Sequence, residues 1–260
     1  WQSRKTLVYL LYPNPPRLSM EAHLGGLFFM QNQKTFTKQP LSIEAQVSLL
    51  LNRGLVISDI AHAKHCLQTV SYYRLSGYFK PFQTSGQAFH KNTTFEQIWD
   101  VYVFDRELRL LFLDSLERIE IAFRTAMSNH MSLTYGSSWY LSSQCFTKKW
   151  SELNTKTYSS PSDYFKIDVN HICKEQKEEF IKHYYMTYHH PTYPPSWMII
   201  ECLSFGKCNS LFRNLAKVSD KAKISAVFGY HPKVVESCLE ALRYTRNICA
   251  HHGRLWNRWF

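Results

Sequence analysis

The segment Arg246-Asn247-Ile248-Cys249-Ala250-His251 concentrates the groups in this chain best suited to chemistry. The unbroken stretch from Val234 to His251, followed by Gly253, predicts a helix with His251 in its final turn. On such a helix Asn247 and His251 share a face, and the long Arg246 side chain reaches the same side from one position earlier. The carbonyl end of a helix favours an imidazolium, which suits His251 to serve as acid or base. Arg246 brings a permanent charge whose planar donors match phosphate oxygens, and Asn247 is placed to orient the imidazole or a ribose hydroxyl. These parts fit attack of a ribose 2′-hydroxyl on its adjacent phosphate, which needs proton transfer and charge stabilisation but no external nucleophile and no metal. DNA lacks that hydroxyl and is expected to survive. One His and one Arg are thin provision for a base, an acid and an anion stabiliser. The expectation is therefore a composite site, formed where a two-fold homodimer brings two helix ends together.

Other assignments compete for the same residues. An Arg followed five positions later by a His occurs by chance in many proteins, and it equally describes an exposed helix end capped by an imidazole. His252 offers a spacing one residue longer, but it falls at the helix exit, so His251 is preferred. Cys249, His251 and His252 lack a paired Cys nearby, so neither a metal nor any other cofactor is expected.

The elements that must hold this segment read as helices throughout. The chain has 260 residues, 45% of them hydrophobic and 15% aromatic, which is the composition of a packed domain. Ser42 caps a helix with Ile43, Val47, Leu50 and Leu51 inward, stopped at Gly54, and Ser58-Asp59 opens a second with Ile60, Ala63 and Leu67 inward. Thr93 with Glu96 and Thr94 with Gln97 both match capping boxes, and nothing breaks a helix from Phe95 until Gly136. So long an element suggests a kink or two helices in series, with Leu108, Phe112, Ile119, Ala122 and Ala126 inward and Arg109, Glu117, Arg118, Glu120 and Arg124 largely on the other face. Ser137 to Val169 is expected to hold short helices and loops. A charged helix follows from about His171 to Tyr188, then one from Trp197 with Gly206 as its stop, then short helices over Asn209–Leu215 and Asp220–Phe228. No strand alternation appears, so the fold class is all-α. The expected domains are 35–260, with 1–34 an N-terminal extension outside the fold.

A formal charge of +11 favours polyanionic partners, and the excess is local: Ala241 to Phe260 holds Arg243, Arg246, Arg254 and Arg258 with no carboxylate. Tyr72, Tyr73, Arg74 and Tyr78 form an aromatic stretch. Packing is the plainer role for most of it, while Tyr73 and Arg74 suit stacking and phosphate contact with RNA. The expected RNA-binding set is thus Tyr73, Arg74, Arg243, Arg254 and Arg258. Seven scattered cysteines with no C-x-x-C point to buried thiols in a reducing compartment. The apolar run Leu7 to Tyr12 is broken by prolines and too short for a signal or a membrane span, so the expected location is the cytoplasm and no membrane partner is foreseen.

Four separated stretches carry a family resemblance: Tyr72-Tyr73-Arg74-Leu75-Ser76-Gly77-Tyr78; Arg106-Glu107-Leu108-Arg109 with Leu116-Glu117-Arg118-Ile119-Glu120; Pro195-Ser196-Trp197-Met198 with Leu203-Ser204-Phe205-Gly206; and Arg243 to Asn257. In this order they resemble the Abi proteins of bacterial abortive infection, of the AbiD and AbiF kind, from about Thr35 to Phe260. The resemblance implies a helical HEPN domain whose R-N-x-x-x-H motif falls on Arg246, Asn247 and His251. Such proteins are phage-defence or toxin ribonucleases, similar to the HEPN halves of type VI CRISPR effectors. Some AbiF-like members are encoded beside a structured small RNA that binds them, which makes such an RNA an implied partner beside the target. The rival expectation is a binding module that holds a structured RNA on the same basic surface without cutting it. The family does not usually begin with anything like residues 1–29, and it often continues past the position of Phe260.

Overall fold

The computed structural model describes residues 37–152 and 160–258. The N-terminal extension, part of the stretch from Ser137 to Val169, and Phe260 lie outside those residues. The chain divides into two compact units, residues 1–49 and 50–260. Helix α1 (Ile43–Asn52), within which that division falls, opens where the Ser42 hydroxyl accepts the Ala45 N–H at 3.2 Å.

The second unit is built around one long element. Helix α2 (Ile60–Val70) is capped by Asp59, whose carboxylate accepts the His62 N–H, and the short α3 (Tyr72–Ser76) follows Ser71. Helix α4 (Phe95–Tyr135) then runs for 41 residues. Its start is the expected capping box of Thr94 and Gln97, each side chain serving the other's backbone N–H, and Gly136 ends it at φ 87°. It is a single helix, not two in series, because no Gly or Pro interrupts it and elements packed along its length hold it. These are α3, α8 (Ser196–Cys202), α9 (Phe205–Arg213), α10 (Val218–Ala226) and α11 (Pro232–Ala250). Helices α5 (Lys148–Ser151), α6 (Pro161–Glu175) and α7 (Glu179–Thr187) complete the set. Among the described residues there is no strand, only three isolated bridges.

Three sequence expectations need correction. Arg109 and Arg124 do not face solvent; both are buried, because each guanidinium is neutralised one turn away on the same helix, by Asp105 and Glu120 respectively. Conversely, Phe112, expected inward, is exposed on α4 together with Phe104, Leu110, Leu111 and Ile121, and Leu51 and Ile60, also expected inward, are exposed on α1 and α2. The charged helix expected over His171–Tyr188 is two helices, divided at Gln176, which takes a left-handed conformation at φ 46° and returns its N–H to the Ile172 carbonyl. Gly206 stops nothing. It lies in the first turn of α9 behind the Ser204 cap, where a Cβ would stand 3.3 Å from Arg243 Cδ, so the glycine lets α11 pack close.

The main core gathers side chains from α4, α8, α9, α10 and α11 around Phe123, whose ring meets those of Phe205 and Phe212 edge-on at 6.2 and 5.4 Å. A second polar tie joins α4 to α10: His130 Nε2 lies 3.0 Å from Asp220 Oδ1, and Tyr135 donates to Oδ2 of the same carboxylate at 2.7 Å. Phe123 is wholly buried, so Phe123→Ala is expected to cost about 3–5 kcal/mol, mostly as an unfilled cavity. Denaturant unfolding checks this. A loss under about 1 kcal/mol would mean that the ring does not anchor the core.

Candidate active site at the end of the last helix

Helix α11 begins at His231, whose Nδ1 accepts the Lys233 N–H, and ends with two crossed backbone hydrogen bonds. Gly253 N–H reaches the Ile248 carbonyl at 2.8 Å and His252 N–H the Cys249 carbonyl at 3.1 Å, while His251 N–H bonds Asn247 at 3.0 Å. This is a Schellman closure, and it needs a left-handed residue just past the cap. The residue in that conformation is His252, at φ 56°, not the expected Gly253. Gly253 is needed for a different reason: a Cβ there would lie 3.3 Å from both Cγ2 and the carbonyl of Ile248.

Arg246, Asn247 and His251 occupy the last two turns. The imidazole of His251 is exposed at the cap, and the Arg246 side chain, 41% exposed, places Nε 3.7 Å from Glu120 Oε2. Glu120 also bonds Arg124, whose other amino group donates to the Ile200 carbonyl. Arg246 is therefore oriented by a carboxylate of α4 at ion-pair range, while much of its guanidinium faces solvent, where a phosphate would approach. Cys249, within the motif, is buried against Ile248, Leu255 and Leu108, and that burial pushes its thiol above the usual range, so it is no nucleophile near neutrality. All seven cysteines are free. Among the described residues no three His, Cys, Asp or Glu side chains converge as a metal site would require, and no helix is long and apolar enough to cross a membrane.

The residues expected to contact RNA do not form one patch. Tyr73 is 88% exposed. Its neighbour Arg74 donates to the His252 carbonyl, beside the motif. Arg254 donates to the Gly77 carbonyl, and Arg258 lies over the Tyr244 ring, 5.5 Å from its centre, with Nε 3.1 Å from the Tyr244 oxygen. Arg243 points to Glu240, whose carboxyl that hydrogen bond holds below its ordinary range. Arg74, Arg254 and Arg258 thus gather with the motif at one end of α11, whereas Arg243 sits a turn earlier among the carboxylates of the α9 contact.

The residue that spacing alone did not reveal is Asp105. It has no exposure to solvent, and it accepts from the Tyr78 hydroxyl at 2.6 Å, from Arg109, and from the backbone N–H groups of Leu255 and Trp256 at 3.1 and 2.6 Å. Burial, then the bond to Asp105, push the Tyr78 phenol up to about 12, so it remains a donor at any physiological pH. The carboxylate fixes the strand of chain leaving the motif against α4. The adjacency of Asp105 to the Arg106–Arg109 stretch was the one available signal.

Residues 65–257 match the family model described as Abi-like protein, and the chain belongs to that family. Membership points to abortive infection, a form of phage defence. No curated protein and no solved structure matches the chain.

The left-handed His252 yields a sharp expectation. A side chain there costs about 1–2 kcal/mol against glycine, of which glycine's extra unfolded-state freedom would cancel roughly 0.5–1 kcal/mol. His252→Gly should therefore raise the unfolding free energy by about 0.5–1 kcal/mol, read from denaturant midpoints at constant slope. A loss of stability would show that the imidazole itself holds the turn.

Proposed function

We propose that this protein is a HEPN-type RNA endonuclease of phage defence, with Arg246 and His251 as catalytic residues and Asn247 as their orienting neighbour. The observation that carries it is the pairing of an exposed His251 at a helix cap with a half-exposed Arg246 whose Nε lies 3.7 Å from the partly buried Glu120 carboxylate. In the reaction, a base takes the proton of the ribose 2′-hydroxyl, and the 2′-oxygen bonds to phosphorus. The bond from phosphorus to the 5′-oxygen breaks, and an acid delivers a proton to that oxygen. The products are a 2′,3′-cyclic phosphate and a 5′-hydroxyl. Arg246 neutralises the charge that grows on the phosphoryl oxygens.

One His251 cannot be base and acid in the same event, so a second copy is expected to supply the other imidazole across a two-fold axis. The exposed apolar residues of α4 are surface that association would bury. The charge of +11 supports a polyanionic partner, whether a target RNA or a structured small RNA. The rival, an RNA-holding module that does not cut, shares the basic surface and differs only in chemistry.

Purified protein with a fluorescent single-stranded RNA, with and without EDTA, separates the two. Cleavage in EDTA to cyclic-phosphate ends is expected, with DNA untouched. His251→Ala and Arg246→Ala should each abolish it while leaving the thermal transition in place. Binding without cleavage by the wild type would favour the rival, and normal cleavage by His251→Ala with none by His252→Ala would move the base by one residue. For the composite site, excess His251→Ala protein mixed with wild type should poison activity. A protein that cleaves fully as a monomer by light scattering would exclude the two-copy site.

A further inference from the structure

The geometry points to Arg74 and Arg254 as positioning residues that, with Asp105, brace the turn carrying His251, in place of the RNA contacts their types suggest. This rests on the reading of His251 as catalytic. The two guanidinium groups make a reciprocal exchange: Arg74, in α3, donates to the carbonyl of His252, and Arg254 donates to the carbonyl of Gly77. Gly77 is the C-cap of α3, and His252 follows the C-cap of α11. Each cation therefore sits on the carbonyl-rich end of the opposite helix, where positive charge is favoured and exposed carbonyls lack partners within their own helix. Neither residue is paired this way by sequence proximity, since the bonds span 178 and 177 positions.

Asp105 supplies the third tie between the same two segments. It holds Tyr78, the residue after Gly77, and at once the N–H groups of Leu255 and Trp256. Between His252 and Trp256 the chain is therefore fixed at a carbonyl, a side chain and two successive N–H groups. Upstream, the crossed bonds of the Schellman turn fix the other side. His251 lies where the two sets of restraints meet. Its neighbour holds an unfavourable left-handed backbone for a non-glycine residue, a conformation that persists when the surroundings over-determine it. Releasing Arg74 removes the restraint nearest to that residue. A displacement of His251 by an ångström would then cost far more in proton transfer than in binding.

The rival role for Arg74 is direct contact with RNA phosphate, which its exposed position beside Tyr73 would also allow. The full-length chain and its Arg74→Gln, Arg74→Lys and Arg254→Gln variants distinguish the two. Amide hydrogen exchange at residues 251–256 should quicken about tenfold or more in Arg74→Gln, with exchange elsewhere unchanged. With RNA, kcat should fall by about 10- to 100-fold while KM, RNA affinity and its dependence on salt stay as in wild type. Arg74→Lys should recover part of the rate, because an ammonium still reaches a carbonyl. Arg254→Gln should reproduce the pattern and gives a second readout if Arg74→Gln folds poorly. Unchanged exchange together with weaker RNA binding, and a salt slope shallower by about 0.7 for the lost phosphate contact, would overturn the brace and make Arg74 an RNA ligand. Exchange is measured without RNA. A wild type that cuts nothing would thus defeat the proposed function while the exchange comparison still decides whether the brace exists.

Discussion

A carboxylate shut away from water holds the functional end of this protein together. Burying the charge of Asp105 costs several kcal/mol in itself, and it is tolerable only because every side of it is answered: an arginine one turn along the same helix, a phenol, and two backbone N–H groups. The phenol and the N–H groups belong to segments far apart in sequence, the aromatic stretch after α3 and the chain that follows α11. Take the carboxylate away, and Arg109 is left buried and unbalanced while the tail past the motif loses its seat on α4. Glu120, farther along α4, does a related job at smaller scale. It is shared by the buried Arg124, which reaches on to the end of α8, and by Arg246, which faces out. Both carboxylates belong to one helix, so the length of α4 sets the spacing between Arg246 and the anchored tail.

The apolar core occupies the other reach of α4. Phe123, Phe205 and Phe212 interlock there with Met127 and Leu211; burial pushes the Cys208 thiol up to about 12, and the buried charges nearby, Arg124 and Asp220, are each paired. The division is physical. Dispersion and exclusion of water dominate in the far half, and hydrogen bonds to charged groups dominate in the half beside the motif.

Much of this was legible from residue order alone. Helix α4 was bounded correctly at both ends because a capping box and a glycine are local signals, and the motif was placed at a helix end for the same reason. What failed was whatever depended on a partner far away in sequence. Arg109 and Arg124 look like surface charges until Asp105 and Glu120 are seen to neutralise them inside the protein. Gly206 looks like a helix stop until Arg243 is found lying against it. Arg74 and Arg254 each donate to a carbonyl nearly the whole domain away, a pairing that residue type does not foretell. Residue type gives the capacity for an interaction; only the fold says which capacity is used. His252 does fall at the helix exit, as its position implied, but its left-handed backbone was hidden because glycine is the ordinary choice for such a turn and Gly253 stands one place beyond it.

The span of these ties also bears on when the site comes into being. Closing a loop of 178 residues carries an entropic cost of about 4–5 kcal/mol before any contact made across it repays the loss, and contacts between distant parts of a chain form late in folding. During synthesis, Arg74 and Asp105 leave the ribosome long before the residues they must grip. Until the stretch through Trp256 has emerged, the last turn of α11 has no seat and His251 no fixed place.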